Sequence, residues 1–472
     1  MKIVIAGAGK IGSQLCLELA NEGHNIVLIE LREDLIDRIM ERCDISGITG
    51  STVDYSVQME AGVADCDLFI SVTGNEEINL ISAVLAERLG AGYTVARVNS
   101  PQYGEHMGIM RRALGVSLIL NPKLEAAKEI AKNLSSPSSV SVESFAHGRI
   151  NMHELIIEDE SPLVNLKLSD FRQRYFSLIV CAVLRNDEVY IPDGSFILQA
   201  GDTIQVTGFI QDLDAFYSSL GQIGEPIRNI LIIGGSDVTN YLCRIYRRQN
   251  SGVKITVIEK SEEKARQLAA DFPQVTVLLG DGTDHSVLEE INFSSYEAII
   301  SLTGVDEENI MVGLWAAQHK VPKIVSKVNR TEILPIIKEN RFQTIVTPKL
   351  IVADHLIRFV RALNNAVGSK VEALYRIFDK KVEILEFTIR PDSRVIDIPL
   401  KTLRLKRDTL IVFILRHNKV IFPSGNDTIQ ADDHIVVVSK EKQFDDVDDI
   451  LENPGRDSLK SGEKMNEQEG VQ

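Results

Sequence analysis

Cysteine is scarce in this 472-residue chain: Cys16, Cys43, Cys66, Cys181 and Cys243 form neither a Cys-x-x-Cys pair nor a His-Cys ligand set, so they read as reduced thiols and not as metal ligands. Long apolar runs are missing too, and none approaches the ~20 residues that span a bilayer. The chain opens on a stretch that itself reads as a β-strand, so no secretory leader is expected. A cytoplasmic protein is predicted, with any membrane role exercised through a partner. Positive charge is in deficit, 51 Lys and Arg against 67 Asp and Glu, for a net charge of −16. That argues against a nucleic-acid or anionic-lipid surface, which needs clustered cations. A catalytic set is absent as well. His24 falls in a turn and reads as a solvated loop residue, and His106, His147 and His153 have no Asp or Ser at a telling spacing. Asp193 and Asp202 fall in turns and read as turn residues. Apolar residues at 44% and charged residues at 25% are ordinary for a soluble α/β protein.

What is present is concentrated first in Met1 to Glu30, MKIVIAGAGKIGSQLCLELANEGHNIVLIE, which reads as strand, glycine-rich turn, helix and strand. The turn is a G-x-G-x-x-G, Gly7-Ala8-Gly9-Lys10-Ile11-Gly12. Gly7 makes the tight turn, Gly9 lets a pyrophosphate approach the backbone, and Gly12 lets helix and strand pack closely. The helix that follows offers free N–H groups to an anion, carries Ile11, Leu15 and Leu19 on one face, and stops at Gly23. Glu30 then stands at the end of the second strand, where a carboxylate accepts the ribose hydroxyls of an adenosine and repels a 2′-phosphate. The pattern predicts a dinucleotide site that prefers NAD to NADP.

Helix and strand go on alternating, with strands expected over 45–49, 68–72, 93–98 and 118–120 and a last helix reaching Leu134. Six strands with intervening helices make a doubly wound parallel sheet. Ser135-Ser136-Pro137-Ser138-Ser139 reads as a linker. Short strands then alternate over 154–157, 177–184, 188–191 and 203–207. The whole arrangement repeats with an offset of about 230. Ile230 to Gly235 restates the first strand and turn, Glu259 restates Glu30, and Gly280-Asp281-Gly282 answers Gly50-Ser51-Thr52. Leu302-Thr303-Gly304 answers Val72-Thr73-Gly74, Lys327-Val328-Asn329 answers Arg97-Val98-Asn99, and Thr347-Pro348-Lys349 answers Asn121-Pro122-Lys123. The fold class expected is therefore α/β: two doubly wound Rossmann-like parallel sheets, each followed by a small β-rich domain. Domains are placed at 1–135, 140–225, 226–365 and 368–452, with a disordered charged tail over 453–472.

The two loops are not equivalent. Ser236 stands where Gly9 stood and Thr239 where Gly12 stood, so the second loop is expected to keep a pyrophosphate away and to loosen helix against strand. Glu259 and Asp281 could still hold an adenosine ribose; the second site is either a weak ATP or ADP site or a structural pseudo-site. Near the first, Lys10 and Arg97 are candidates to neutralise phosphate, against ordinary surface charge. Thr73 is expected to line the adenosine crevice.

These features together resemble the tandem members of the regulator-of-K⁺-conductance family, those associated with Trk-type potassium uptake. The resemblance runs from Met1 to about Glu452 and rests on GAGKIG followed by Glu30, the paired Thr-Gly and Val-Asn strand ends, and the repeated Pro-x-Gly of the small domains. It implies a non-enzymatic, homotetrameric regulatory ring on the cytoplasmic face of a membrane potassium transporter, with NAD(H) at the first site and ATP or ADP at either. Carried onto this sequence, the first site comprises Gly7, Ala8, Gly9, Lys10, Ile11, Gly12, Glu30, Ser51, Thr52, Thr73, Gly74 and Arg97. The second comprises Gly234, Gly235, Ser236, Asp237, Val238, Glu259, Asp281, Gly282 and Thr303. Two other readings stay open: an NAD-dependent oxidoreductase, and a regulator of another cation channel.

Overall fold

The computed structural model describes residues 1–104, 107–135, 142–145, 149–220, 227–249, 252–334, 344–364, 371–378, 381–417, 419–441, 444 and 446–452. His106, His147, most of the Ser-rich linker and the 453–472 tail lie outside them.

The first lobe runs β1 (Lys2–Ala6), α1 (Lys10–Asn21), β2 (Asn25–Glu30), α2 (Glu33–Met40), β3 (Ser46–Thr49), α3 (Tyr55–Glu60), β4 (Leu68–Ser71), α4 (Glu76–Leu89), β5 (Tyr93–Arg97), α5 (Pro101–Gly104), α6 (Met107–Leu114), β6 (Leu118–Leu120) and α7 (Pro122–Ser135). Its sheet has the order β3-β2-β1-β4-β5-β6, all parallel. Ile3, Val4, Ile5 and Ala6 are wholly buried, which is why β1 reads as an unbroken apolar run: helices cover both faces. Strand order reverses between β1 and β4, the place where doubly wound sheets open a crevice. Beside that crevice α4 has a defined start and stop. The Asn75 side chain accepts the Ile78 N–H ahead of α4, acids fill its first turn, and Gly90 at φ +116° ends it.

The first small sheet follows: β7 (Val142–Phe145), β8 (Ile150–Ile156), α8 (Leu168–Arg174), β9 (Ile179–Arg185), β10 (Glu188–Tyr190), β11 (Thr203–Phe209) and α9 (Ile210–Ser219), with the order β10-β9-β11-β8-β7. Four of its five strands were legible. The edge strand β7 was not, because it follows directly on a Ser-rich stretch.

The second lobe repeats the first: β12 (Asn229–Ile233), α10 (Asp237–Gln249), β13 (Lys254–Glu259), α11 (Glu262–Asp271), β14 (Thr276–Leu279), α12 (His285–Glu290), β15 (Ala298–Ser301), α13 (Asp306–Gln318), β16 (Lys323–Lys327), β17 (Thr344–Val346) and α14 (Pro348–Asn364), ordered β14-β13-β12-β15-β16-β17. The second small sheet, β18 (Val371–Ile377), β19 (Val382–Thr388), β20 (Thr409–Arg416), β21 (Lys419–Ile421) and β22 (His434–Ser439), has the order β18-β19-β22-β20-β21, the equivalent of the first.

The two halves do not stay apart. One compact unit joins the two lobes, Met1–Val142 with Tyr217–Val360, and the other joins the two small sheets. Within the first unit, Ala127, Ile130 and Leu134 of α7 share a core with Tyr241 and Leu242 of α10. Within the second, Phe145, Met152 and Cys181 pack in one core with Ile384, Phe413 and Val436.

In the small sheets the repeated turn has a physical reason. Asp202, wholly buried, accepts two hydrogen bonds from Arg185, at 2.7 Å each, and the Gln199 N–H at 2.8 Å. Arg416, Asp433 and Gln430 repeat that arrangement at 2.7 to 2.8 Å. The bidentate ion pair offsets the desolvation of a buried carboxylate. His24 is a correction: its side chain is 7% exposed and packed between Glu22 and the N-terminal amine, not solvated.

Candidate functional site

The glycine loop between β1 and α1 is defined by what a methyl group would meet there. Gly7 has φ +107°, and a Cβ on it would lie 2.9 Å from the Thr73 backbone. A Cβ on Gly12 would lie 1.8 Å from the Gly7 carbonyl oxygen. Gly9 differs: its backbone is extended at φ −66°, and a Cβ would meet nothing within 4 Å. The first and third glycines are thus required by the fold, whereas the second borders open space. No side chain caps α1, whose first turn carries no acid.

The other predicted first-site residues stand at the carboxyl ends of the neighbouring strands and are tied to the loop by hydrogen bonds. Glu30, ending β2, accepts the Ala8 N–H at 2.7 Å, and its second oxygen accepts the N–H groups of Leu31 at 2.9 Å and Arg32 at 3.2 Å. In this structure its carboxylate therefore braces the loop, where a role toward ribose alone was expected. Gly50 donates to the Glu30 carbonyl oxygen, which sets Ser51 and Thr52 beside that strand end. Thr52 is 5% exposed, and its hydroxyl has no hydrogen-bond partner among the described residues. Thr73 and Gly74 follow β4, and Arg97 ends β5. Burial holds the Arg97 guanidinium below its ordinary range, with Glu76 acting in the opposite direction.

Two pairs of residues that hold this edge escaped the motif reading. Asn79, wholly buried, accepts from the Thr73 N–H and hydroxyl at 2.7 Å and donates to the carbonyls of Thr73 and Arg97. Asn309 likewise accepts the Thr303 N–H and donates to the carbonyls of Thr303 and Lys327, while the Thr303 hydroxyl donates to the Val305 carbonyl. Glu76 accepts the N–H groups of Asn99 and Ser100 at 2.6 and 2.9 Å, and Asp306 those of Asn329 and Arg330 at 3.0 and 2.9 Å. The signal was there: in both copies an Asn stands six places after the Thr of the Thr-Gly pair, and an acid three places after it.

The second loop keeps the first glycine's role and changes the rest. Gly234 has φ +99°, and Gly235 donates its N–H to Glu259, repeating Ala8 and Glu30. Glu259 also accepts from the Ser261 N–H at 2.7 Å. Thr239 does not loosen the helix as expected. It is wholly buried, and its hydroxyl donates to the Gly234 carbonyl, so the polar atom is satisfied in place of the close approach that Gly12 makes. The Ser236 N–H meets the Thr239 hydroxyl at 3.2 Å and the Thr239 N–H meets the Ser236 hydroxyl at 3.4 Å, so this loop spends its donors on itself. Asp281 is hydrogen-bonded by Lys260 at 2.7 Å and by Thr283, which hold its carboxyl down at about 2. A Cβ on Gly282 would lie 2.4 Å from Ile233 Cγ2; the equivalent pair in the first lobe is Thr52 and Ala6, a large-for-small exchange.

Between the lobes lies a cleft of about 1060 Å³. Of the predicted site residues it takes in Lys10, Ile11 and Arg97 from the first lobe and Gly235, Ser236, Asp237 and Val238 from the second; the remaining ones lie outside its lining. Eight Lys and Arg side chains line it against four carboxylates, in a chain whose overall charge is −16. Such a concentration of one sign between low-dielectric walls focuses the field toward an anion. Among the described residues no helix is long and apolar enough to cross a membrane.

The TrkA-N domain model matches residues 3–122 and 230–348, the TrkA-C domain model residues 152–221 and 384–452. The Trk system potassium uptake protein TrkA homolog of Archaeoglobus fulgidus is 27% identical over 452 residues, 96% of this chain and all of that protein. The Trk system potassium uptake protein TrkA of Haemophilus influenzae is 26% identical over 448 residues, 94% of this chain and 96% of that one. Among solved structures, the GsuK channel bound to NAD superposes with a TM-score of 0.59 at 18% identity, covering 93% of this chain and 76% of that chain. The GsuK RCK domain gives the same score and identity over 92% of its own length. These two establish the fold alone. With both domain types present twice, in alternation, and relatives matched over nearly their whole length, the chain belongs to the TrkA family.

Proposed function

We propose that this chain is the nucleotide-sensing regulatory subunit of a Trk-type potassium uptake transporter. It acts on the inner face of the membrane as a homo-oligomer, a tetramer by resemblance, and carries no catalysis of its own. The observation that carries the nucleotide reading is the open space over Gly9, flanked by two glycines that the fold cannot spare. NAD(H) occupies the first site, with the pyrophosphate over Gly9 and the N-terminus of α1, Lys10 and Arg97 toward the phosphates, and Thr52 and Thr73 toward the adenosine. Glu30 releases or shares its bond to the Ala8 N–H when it accepts ribose hydroxyls, which couples occupancy to the shape of the loop. Its charge disfavours a 2′-phosphate. The relatives named as Trk system potassium uptake proteins supply the transporter reading; the GsuK channel bound to NAD supports the cofactor.

A ligand shifts a two-state equilibrium only by its differential affinity for the two states. Lys10 and Arg97, set toward the phosphates, also line the cleft between the lobes. A nucleotide there favours one spacing of the lobes, and the oligomer passes that preference to the pore as closed or open. Copurification from membranes holding a Trk-type transporter, with and without NADH and ATP, tests this. Retention of the transporter, altered by nucleotide, is expected. Absence of the transporter under every condition, or NADH turnover with a metabolite, contradicts it.

A further inference from the structure

By the repeat, Lys10 of the first loop corresponds to Asp237 of the second, and Lys123 at the start of α7 corresponds to Lys349 at the start of α14. Across the lobe junction Lys123 forms an ion pair with Asp237. The pair is fixed in place by its neighbours: the Tyr241 hydroxyl donates to the Ser100 carbonyl at 2.9 Å and accepts from Asn121 at 2.7 Å. The corresponding residues on the other loop are Lys10 and Lys349, two cations that both line the cleft. Exposed Glu332 feels both. Its carboxyl is held below the ordinary range first by a backbone hydrogen bond, then by Lys349, Lys10 and Arg330. One loop has a cation from the opposite lobe and a carboxylate at the first position of its helix. The other has the cation from the opposite lobe, and a lysine where the carboxylate stood.

We propose that Asp237 is a built-in anion occupying the phosphate position of the second loop, and that Lys349 is the cross-lobe cation that grips the diphosphate of a nucleotide held on the first loop. The pairing of Lys123 with Asp237 shows the arrangement that a phosphate completes between Lys10 and Lys349. It rests on the nucleotide reading of the first loop, and it adds two consequences: one diphosphate per chain, and a ligand that itself bridges the lobes. The recognised chemistry is a nucleoside diphosphate moiety, which ADP and NAD(H) share and AMP lacks. The second loop rejects it twice over, because Ser236 and Thr239 consume the N–H groups that a phosphate needs and Asp237 repels it.

Calorimetry of the full chain with ADP, AMP and NADH tests this. The wild-type chain is expected to take one ADP. Lys349→Gln weakens ADP and NADH about tenfold, the loss of one charge-assisted contact, and weakens AMP less. Lys349→Glu, which installs a second built-in anion, abolishes ADP binding, whereas Lys349→Arg stays within about threefold of wild type. The triple variant Ser236→Gly, Asp237→Lys, Thr239→Gly is expected to take a second ADP. Wild-type binding left unchanged by Lys349→Glu, or one ADP per chain in a folded triple variant, overturns the inference and leaves the first-loop reading standing. A wild-type chain that takes neither ADP nor NADH overturns both. Unchanged melting of the Lys349 variants separates lost binding from lost folding.

Discussion

At the scale of single residues, the three glycines of the first loop look alike in sequence and differ in structure. Gly12 is the one the backbone depends on most. Gly12→Ala places a methyl group 1.8 Å from the Gly7 carbonyl, and the forced shift of helix from strand costs about 1–3 kcal/mol, read as a lower urea midpoint. Lys323 sets a pH dependence. It is buried at the start of β16, and burial pushes its ammonium from 10.5 down to about 8. Between those values the unfolded chain binds more protons than the folded one, so this group makes stability rise as pH goes up through the window and adds no slope below it. Lys323→Met removes that slope, up to about 1.4 kcal/mol per pH unit; the check is the difference in unfolding free energy between wild type and variant from pH 8 to 10. The glycines and Glu30 were legible because a motif names them. The bond from the Ala8 N–H to Glu30 was not, because a carboxylate at a strand end can face a ligand or its own loop, and only coordinates distinguish the two.

At the scale of elements, the repeat shows which residues position the site. Asn79 and Asn309 tie the end of one strand to the next, so Asn79→Ala leaves buried backbone groups without partners. A loss of about 2 kcal/mol is expected, together with weaker NADH binding; Asn309→Ala is expected to cost similar stability and to leave NADH binding at the first loop nearly unchanged. The exchange of Ala6 and Thr52 for Ile233 and Gly282 makes a second case. Gly282→Thr alone collides with Ile233, and adding Ile233→Ala restores the first lobe's combination. A double-mutant cycle is expected to give a favourable coupling of about 1–3 kcal/mol. Coupling near zero contradicts the paired-volume account. The parallel sheets were readable throughout because buried parallel strands are unbroken apolar runs bounded by glycine and polar turns. α8 and α9 were missed, being seven and ten residues of mixed character amid short strands.

At the scale of the molecule, each compact unit takes one domain type from both halves of the repeat. A half-chain of residues 1–220 therefore exposes the faces of α7 and of the first small sheet that its other half covers. It is expected to self-associate in light scattering, and a stable monomer contradicts the shared cores. Composition says little at this scale: a charge of −16 argues against a nucleic-acid or anionic-lipid surface, and the fold still gathers eight cations around one cleft. No linear pattern announces that, because its lysines and arginines come from separate strands, helices and loops spread from Lys10 to Lys349.

The central claim is that the first glycine loop holds the nucleotide to which the transporter responds. Gly9→Val tests it most directly, because a Cβ there meets no protein atom within 4 Å and the extended backbone accepts a side chain. Titrating NADH into wild-type and Gly9→Val chains by calorimetry is expected to show binding in the first and a loss of at least about tenfold in the second, with melting temperature unchanged. Equal NADH affinity in the two proteins contradicts the account.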